Sequence, residues 1–95
     1  MGVEFEWNPD KAKSNQEAHG INFLEAVTVF ADPLARIFED DEHSEEEPRE
    51  IIIGHSAKRR LVLVCFTVRG RRIRIIGARK ATPLERKDYE ENVRY

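Results

Sequence analysis

Cysteine, methionine and tryptophan occur once each in this chain of 95 residues, and tyrosine twice. A lone cysteine, Cys65, allows no intrachain disulfide, and its neighbours Val64 and Phe66 predict a buried thiol in a reducing compartment. No apolar run approaches the ~18 residues that a membrane span needs. No basic-then-apolar start marks a secretory signal. The expectation is a soluble, cytoplasmic protein. Nucleotide and metal fingerprints are missing too: there is no P-loop, GxGxxG, GxSxG, CxxC or HExxH, and no aromatic strand pattern of the RNA-recognition type. The sequence therefore predicts no cofactor. His43, set among carboxylates in EDDEHSEEE, matches neither an EF-hand loop nor a zinc spacing, so no metal centre is predicted either.

Charge is what the chain has in quantity, at 36% of residues. The net value of −2 conceals a division: residues 1–50 hold 4 Lys+Arg against 14 Asp+Glu, and residues 51–95 hold 12 against 4. Such asymmetry points to a polyanionic partner for the basic half, or to two halves that pair with each other.

A chain of this length forms one domain, residues 1–95. VEFEW alternates apolar and acidic residues, as a short half-buried strand does. Asn8, Pro9 and Asp10 start a helix that Gly20 ends, giving Pro9–His19. A second short helix follows over INFLEAVTVFADP, capped by Asn22 with Glu25 as its box partner. LARIFED, REIIIGHS, LVLVCFTV and RIRIIGARKA read as strands joined by tight connections, an antiparallel meander. Thr82, Pro83 and Glu85 form a capping box with a proline start, opening a helix to about Val93. The fold class is α+β, with two N-terminal helices, an antiparallel meander and a C-terminal helix. The helices are expected on one sheet face, leaving the other free.

The free face raises the question of chemistry. Strand interiors favour β-branched residues, yet Arg72, Arg74 and Arg79 lie in or beside IRIIGARK. Strict alternation puts Arg74 and Arg79 on opposite faces. A bulge at Gly77 would put them on one face, since a strand glycine often marks a bulge. Planar guanidinium groups then suit an anion such as phosphate. The competing reading is an edge strand protected by cations. His19 either completes the helix dipole or transfers protons. Tyr89 is a core-edge aromatic or a proton-transfer group, and Trp7 a core anchor or a platform for a base.

These pieces together resemble one family. Trp7, Pro9 and Lys11 give W-x-P-x-K, and His19 to Ala26 give H-G-x-x-F-x-E-A. Asp32 and Pro33 follow, then Asp40, His43, Ser44, Glu47 and Arg49 as D-x-x-H-S with E-x-R. Ile73 to Arg79 close the pattern as I-R-I-I-x-A-R. The chain is similar to BrnT, a family of ribonuclease toxins from bacterial type II toxin–antitoxin systems. The resemblance implies a RelE-like fold and metal-independent endoribonuclease activity that blocks translation, by 2′-OH attack on the adjacent phosphate. For such a reaction Arg74 and Arg79 are assigned to the transition-state charge, His19 or His43 to proton transfer with Tyr89 as a further catalytic candidate, and RNA contacts to Lys80, Arg72, Lys11 and Trp7. A BrnA-like ribbon-helix-helix antitoxin is the implied partner. DNA is engaged only through that complex, and no membrane is involved. The cationic sheet face, with Ile76 beside it, is the expected antitoxin surface. A non-catalytic module that binds RNA or antitoxin is the alternative.

Overall fold

The alternation of VEFEW decides where the first strand sits. In the computed structural model, which describes residues 2–43 and 47–92, β1 (Glu4–Glu6) lies at the sheet edge, parallel to β5 (Arg72–Lys80). Phe5 joins the apolar core. Glu6, pointing the other way, meets the arginines of β5. Between them in sequence come α1 (Pro9–His19), α2 (Phe23–Val29), β2 (Arg36–Glu39), β3 (Glu50–His55) and β4 (Leu61–Arg69), with α3 (Pro83–Asn92) last. The sheet order is β1-β5-β4-β3-β2, and every pair except β1–β5 is antiparallel. The meander over β2 to β5 is therefore as the sequence predicts. The parallel β1 makes the whole sheet mixed.

Helix boundaries follow local chemistry. Asn8 accepts from the backbone N–H groups of Asp10 and Lys11, and Gly20 closes α1 with φ of 71°, a conformation glycine adopts without steric cost. Asn22 caps α2 through the Glu25 N–H at 2.8 Å. The reciprocal half of that box is absent, because the Glu25 carboxylate is used elsewhere: it accepts from Ser56 at 2.7 Å and from two nitrogens of Arg60. Glu25 is 5% exposed. This network fixes the start of α2 to the β3–β4 turn, and Arg60 also donates to the Gly20 carbonyl.

Two cores lie on opposite sides of the sheet. Ile52, Val62, Val64, Phe66 and Ile75 face α1 and α2, where they meet Ile21, Phe23, Ala26 and Val29. The alternate residues Ile53, Leu61 and Leu63 face the other way and enclose Tyr89 of α3. This corrects the expectation that all helices share one face. The polar helix α3 buries only Tyr89, and that ring covers one end of the second face. Tyr89 also donates to Asp32 at 3.2 Å and packs edge-on against His55. Gly54 is required where the chain after α2 crosses β3. A Cβ there would lie 2.8 Å from the Ala35 Cβ and 3.0 Å from Asp32 Oδ2.

Candidate functional site

The register between β4 and β5 carries the site. Phe66 pairs with Ile75 and Cys65 with Gly77, so Ile76 is left over as a bulge. Arg74 pairs with Thr67 and Arg79 with Leu63. Thr67, Cys65 and Leu63 point to one side, and paired residues share a face. The bulge therefore puts Arg72, Arg74, Gly77 and Arg79 on the same face, the one that α3 covers at its end. The bulge that Gly77 suggested is present, and it undoes the separation that regular alternation would impose.

Sharing a face does not bring the arginines to one point. Their partners Thr67 and Leu63 are four residues apart on β4, roughly 13 Å along the strand. The side chains also serve different partners. Arg79 makes a two-pronged pair with Glu85 at 2.7 and 2.8 Å. Arg74 donates to Glu6 at 2.9 Å, with Arg72 at 3.4 Å and Arg69 at 4.0 Å from the same carboxylate. Glu47 holds Arg69 from the other side through two hydrogen bonds. Hydrogen bonding from Arg74 is the main cause holding the Glu6 carboxyl below its usual range, as Arg69 does for Glu47. Glu85, held by Arg79 and by the capping contacts to Thr82, is lowered to about 2.

A cleft of about 430 Å³ opens beside Arg79. His19, Arg49, Cys65 and Gly77 line it together with Asp40 and Glu42. Three features of the sequence build it. Glycine at 77 leaves its floor open. The left-handed Gly20 ends α1 at His19, at the cleft's margin. Asn15 holds α1 against β5: its amide donates to the Ala78 carbonyl at 2.8 Å and accepts from the Ala78 N–H at 3.0 Å. That pairing replaces the strand neighbour that β5 lacks beyond its ladder with β1. Cations and proton acceptors thus share one concavity. Burial, helped by the charge of Asp40, pushes the Cys65 thiol up, which disfavours its thiolate.

Of the residues singled out by sequence, His19 and Arg79 meet in this cleft. Arg72 and Arg74 form the separate cluster on Glu6. Lys80 is exposed at the end of β5, paired with Val62, whose side chain faces the helices α1 and α2. Lys11 is exposed in the first turn of α1. Trp7 packs on the core, edge-to-face with Phe23 at 5.9 Å, and so is an anchor of the fold. Tyr89 of α3 is 4% exposed and lies outside the cleft, its hydroxyl donating to Asp32. His43 ends a 3-10 turn, Asp41–His43; its ring, like Ser44, lies outside the described residues. Sequence reasoning missed Asn15, Asp40 and Glu85 as parts of the site, and Glu6 as the centre of the arginine cluster. Glu85 had a local signal, the capping box, which concerned α3 alone, and Asp40 entered only as part of the family pattern.

Among the described residues, no three His, Cys, Asp or Glu side chains are grouped to hold a metal ion, and no helix is long and apolar enough to cross a membrane. A search of curated proteins finds no match. Among solved structures, the fold is similar to the crystal structure of the Brucella abortus ribonuclease toxin BrnT, with a TM-score of 0.67 and 20% identity, over 84% of this chain and 97% of that one. At that identity the likeness bears on the fold. The sequence profile described as "Ribonuclease toxin, BrnT, of type II toxin-antitoxin system" matches residues 7–85, which spans the cleft, the bulge and the clustered arginines, though not Glu6. By that match, the chain belongs to the BrnT family of ribonuclease toxins.

Proposed function

We propose that this chain is a metal-independent endoribonuclease whose cleavage of RNA inhibits translation, with Arg79 and His19 at its centre. The supporting observation is the cleft that Arg79 of the bulged strand and His19 at the end of α1 line together. In the proposed reaction the 2′-oxygen attacks the neighbouring phosphorus and the bond to the 5′-oxygen breaks. The products are a 2′,3′-cyclic phosphate and a 5′-hydroxyl. His19 takes the 2′-OH proton as general base through its imidazole nitrogen. The leaving oxygen is protonated from solvent. Arg79, oriented in advance by Glu85, stabilises the charge that gathers on the phosphoryl oxygens.

The roughly 13 Å between strand positions argues against Arg74 and Arg79 serving one phosphate. Arg74, with Arg72 and Arg69, is therefore assigned to neighbouring phosphates of the same RNA strand, and Lys80 and Lys11 to its more distant backbone. A ribbon-helix-helix antitoxin of the BrnA type neutralises the toxin, and the pair binds operator DNA. The test is incubation of the purified protein with ribosome-free and ribosome-bound mRNA. We expect strand scission with 5′-hydroxyl ends, abolished in Arg79→Ala. RNA left intact in both settings would overturn the enzyme, and binding without scission would establish the alternative, a non-catalytic RNA-binding module.

A further inference from the structure

A second concavity lies away from the arginines. It is an open groove of about 900 Å³ on the α1/α2 side of the sheet, between α2 and β1. Phe5, Phe30 and Ile73 form its apolar floor, with Val3 and Ala31 at its margin. Val3 is 57% exposed, and Val68, the partner of Ile73, is 52% exposed. The open groove between α2 and β1 thus presents an apolar floor that the apolar stripe of a partner can enter.

Charge around the groove says what fits it. Among the described residues, Asp32 is the one carboxylate in the lining, and it is already occupied by the N–H groups of His55 and Leu34 and by the Tyr89 hydroxyl. Lys58 and Arg59 follow Ala57, which lines one end. Arg71 lies at the other end, where its carbonyl accepts from the N–H of Glu4, between the lining residues Val3 and Phe5. Among the described residues, none of these three cations forms a salt bridge, whereas Arg69, Arg72, Arg74 and Arg79 all do.

We infer that this groove is the docking site of the antitoxin, through an amphipathic segment whose apolar stripe is flanked by Asp and Glu. The inference rests on the reading that a protein antitoxin partners this chain, and it is independent of where RNA is cut. It moves the expected antitoxin surface from the cationic face to the opposite one. The arginines of the cationic face already have their carboxylates. The groove offers both an unfilled apolar floor and cations without salt bridges at its ends, the combination that anchors a partner and sets its orientation.

The experiment is calorimetric titration of the purified chain with its purified cognate antitoxin. The variants are Val3→Asp with Ala31→Asp, both at exposed positions, Lys58→Glu with Arg59→Glu and Arg71→Glu, and Arg79→Ala. Circular dichroism checks that each is folded. The first pair should weaken binding at least tenfold. The charge reversals should weaken it and flatten its salt dependence, and Arg79→Ala should bind as the parent does. Parental affinity in both groove variants would overturn the inference. So would loss of binding in Arg79→Ala alone, or a dimer of the chain by itself that Val3→Asp dissociates, which would give the groove to a second copy. Failure to cleave RNA would leave these binding results unchanged, so the two readings fail separately.

Discussion

Arg79 and Glu85 are joined by two parallel hydrogen bonds, and the same Glu85 carboxylate accepts the Thr82 N–H that starts α3. One side chain thus sets both a helix terminus and the direction of the cleft's arginine. Since the folded-state pKa of Glu85, about 2, lies below its ordinary 4.5, its contribution is complete above pH 4.5 and disappears as pH falls toward 2. Glu85→Ala should cost about 1 kcal/mol at neutral pH through loss of the cap. It should also remove part of the acid-side loss of stability, read from urea unfolding at pH 7 and pH 3. Arg79→Lys should reduce RNA cleavage nearly as far as Arg79→Ala, because a point charge cannot keep the two-pronged geometry. Full activity in the lysine variant would remove the orientation from the mechanism.

The separation of the two arginine sites gives a contrast between binding and rate. Arg74→Ala should weaken RNA binding and reduce the dependence of log K on log salt by about 0.7, because one phosphate of the single strand is no longer neutralised. Cleavage at saturating RNA should stay within about threefold. Arg79→Ala should lower that saturated rate by about a hundredfold or more. Single-turnover kinetics over a range of RNA concentrations separates the two, and identical profiles would mean that both arginines act on the scissile phosphate.

Glu25 carries a different cost. It is almost fully enclosed, and Glu25→Ala leaves Arg60 and Ser56 without their shared acceptor. We expect about 3 kcal/mol of destabilisation, the lower end for a broken buried pair, because the Arg60 side chain keeps 31% of its surface in water. Hydrogen bonding from Arg60 is the main cause lowering the Glu25 carboxyl. Its stabilisation is therefore present above pH 4.5 and fades on acidification. Equal urea midpoints for parent and variant at pH 7 would contradict this account.

Two glycines should respond in opposite ways. Gly54→Ala forces Ala35 or Asp32 to move and should cost about 1–3 kcal/mol. At Gly77 a Cβ would meet only Asn15 Oδ1, at 3.6 Å, so Gly77→Ala should fold normally. Gly77→Leu would instead fill the cleft floor and should reduce cleavage at least tenfold with little change in melting temperature.

What could be read from the sequence was what is local along it. Asn8, Gly20, Asn22 and the Thr82–Glu85 box act within a few residues, and the helices begin where those residues say. The fold class and the meander followed from turn spacing and alternation. Glu6 and Arg74 are 68 positions apart, and nothing near either one reveals that β1 pairs parallel to β5. The face chosen by α3 was hidden for another reason: a helix with one buried residue has too little apolar pattern to reveal its side. For the site, Gly77 signalled the bulge, but the distance between Arg74 and Arg79 depended on the register against β4, which only the folded sheet supplies.

Ile76 has a consequence for how this strand can change over generations. One surplus residue offsets the parity of everything after it, so Arg74 and Arg79, five positions apart, share a face only while Ile76 stays out of the ladder. Deletion of Ile76 would leave them four positions apart in an even ladder, still on one face. A residue added beside the bulge and taken into the ladder would instead turn Arg79 toward the α1/α2 side, leaving a folded sheet with its cleft arginine inverted. The strand can therefore lose its surplus residue more safely than it can gain another.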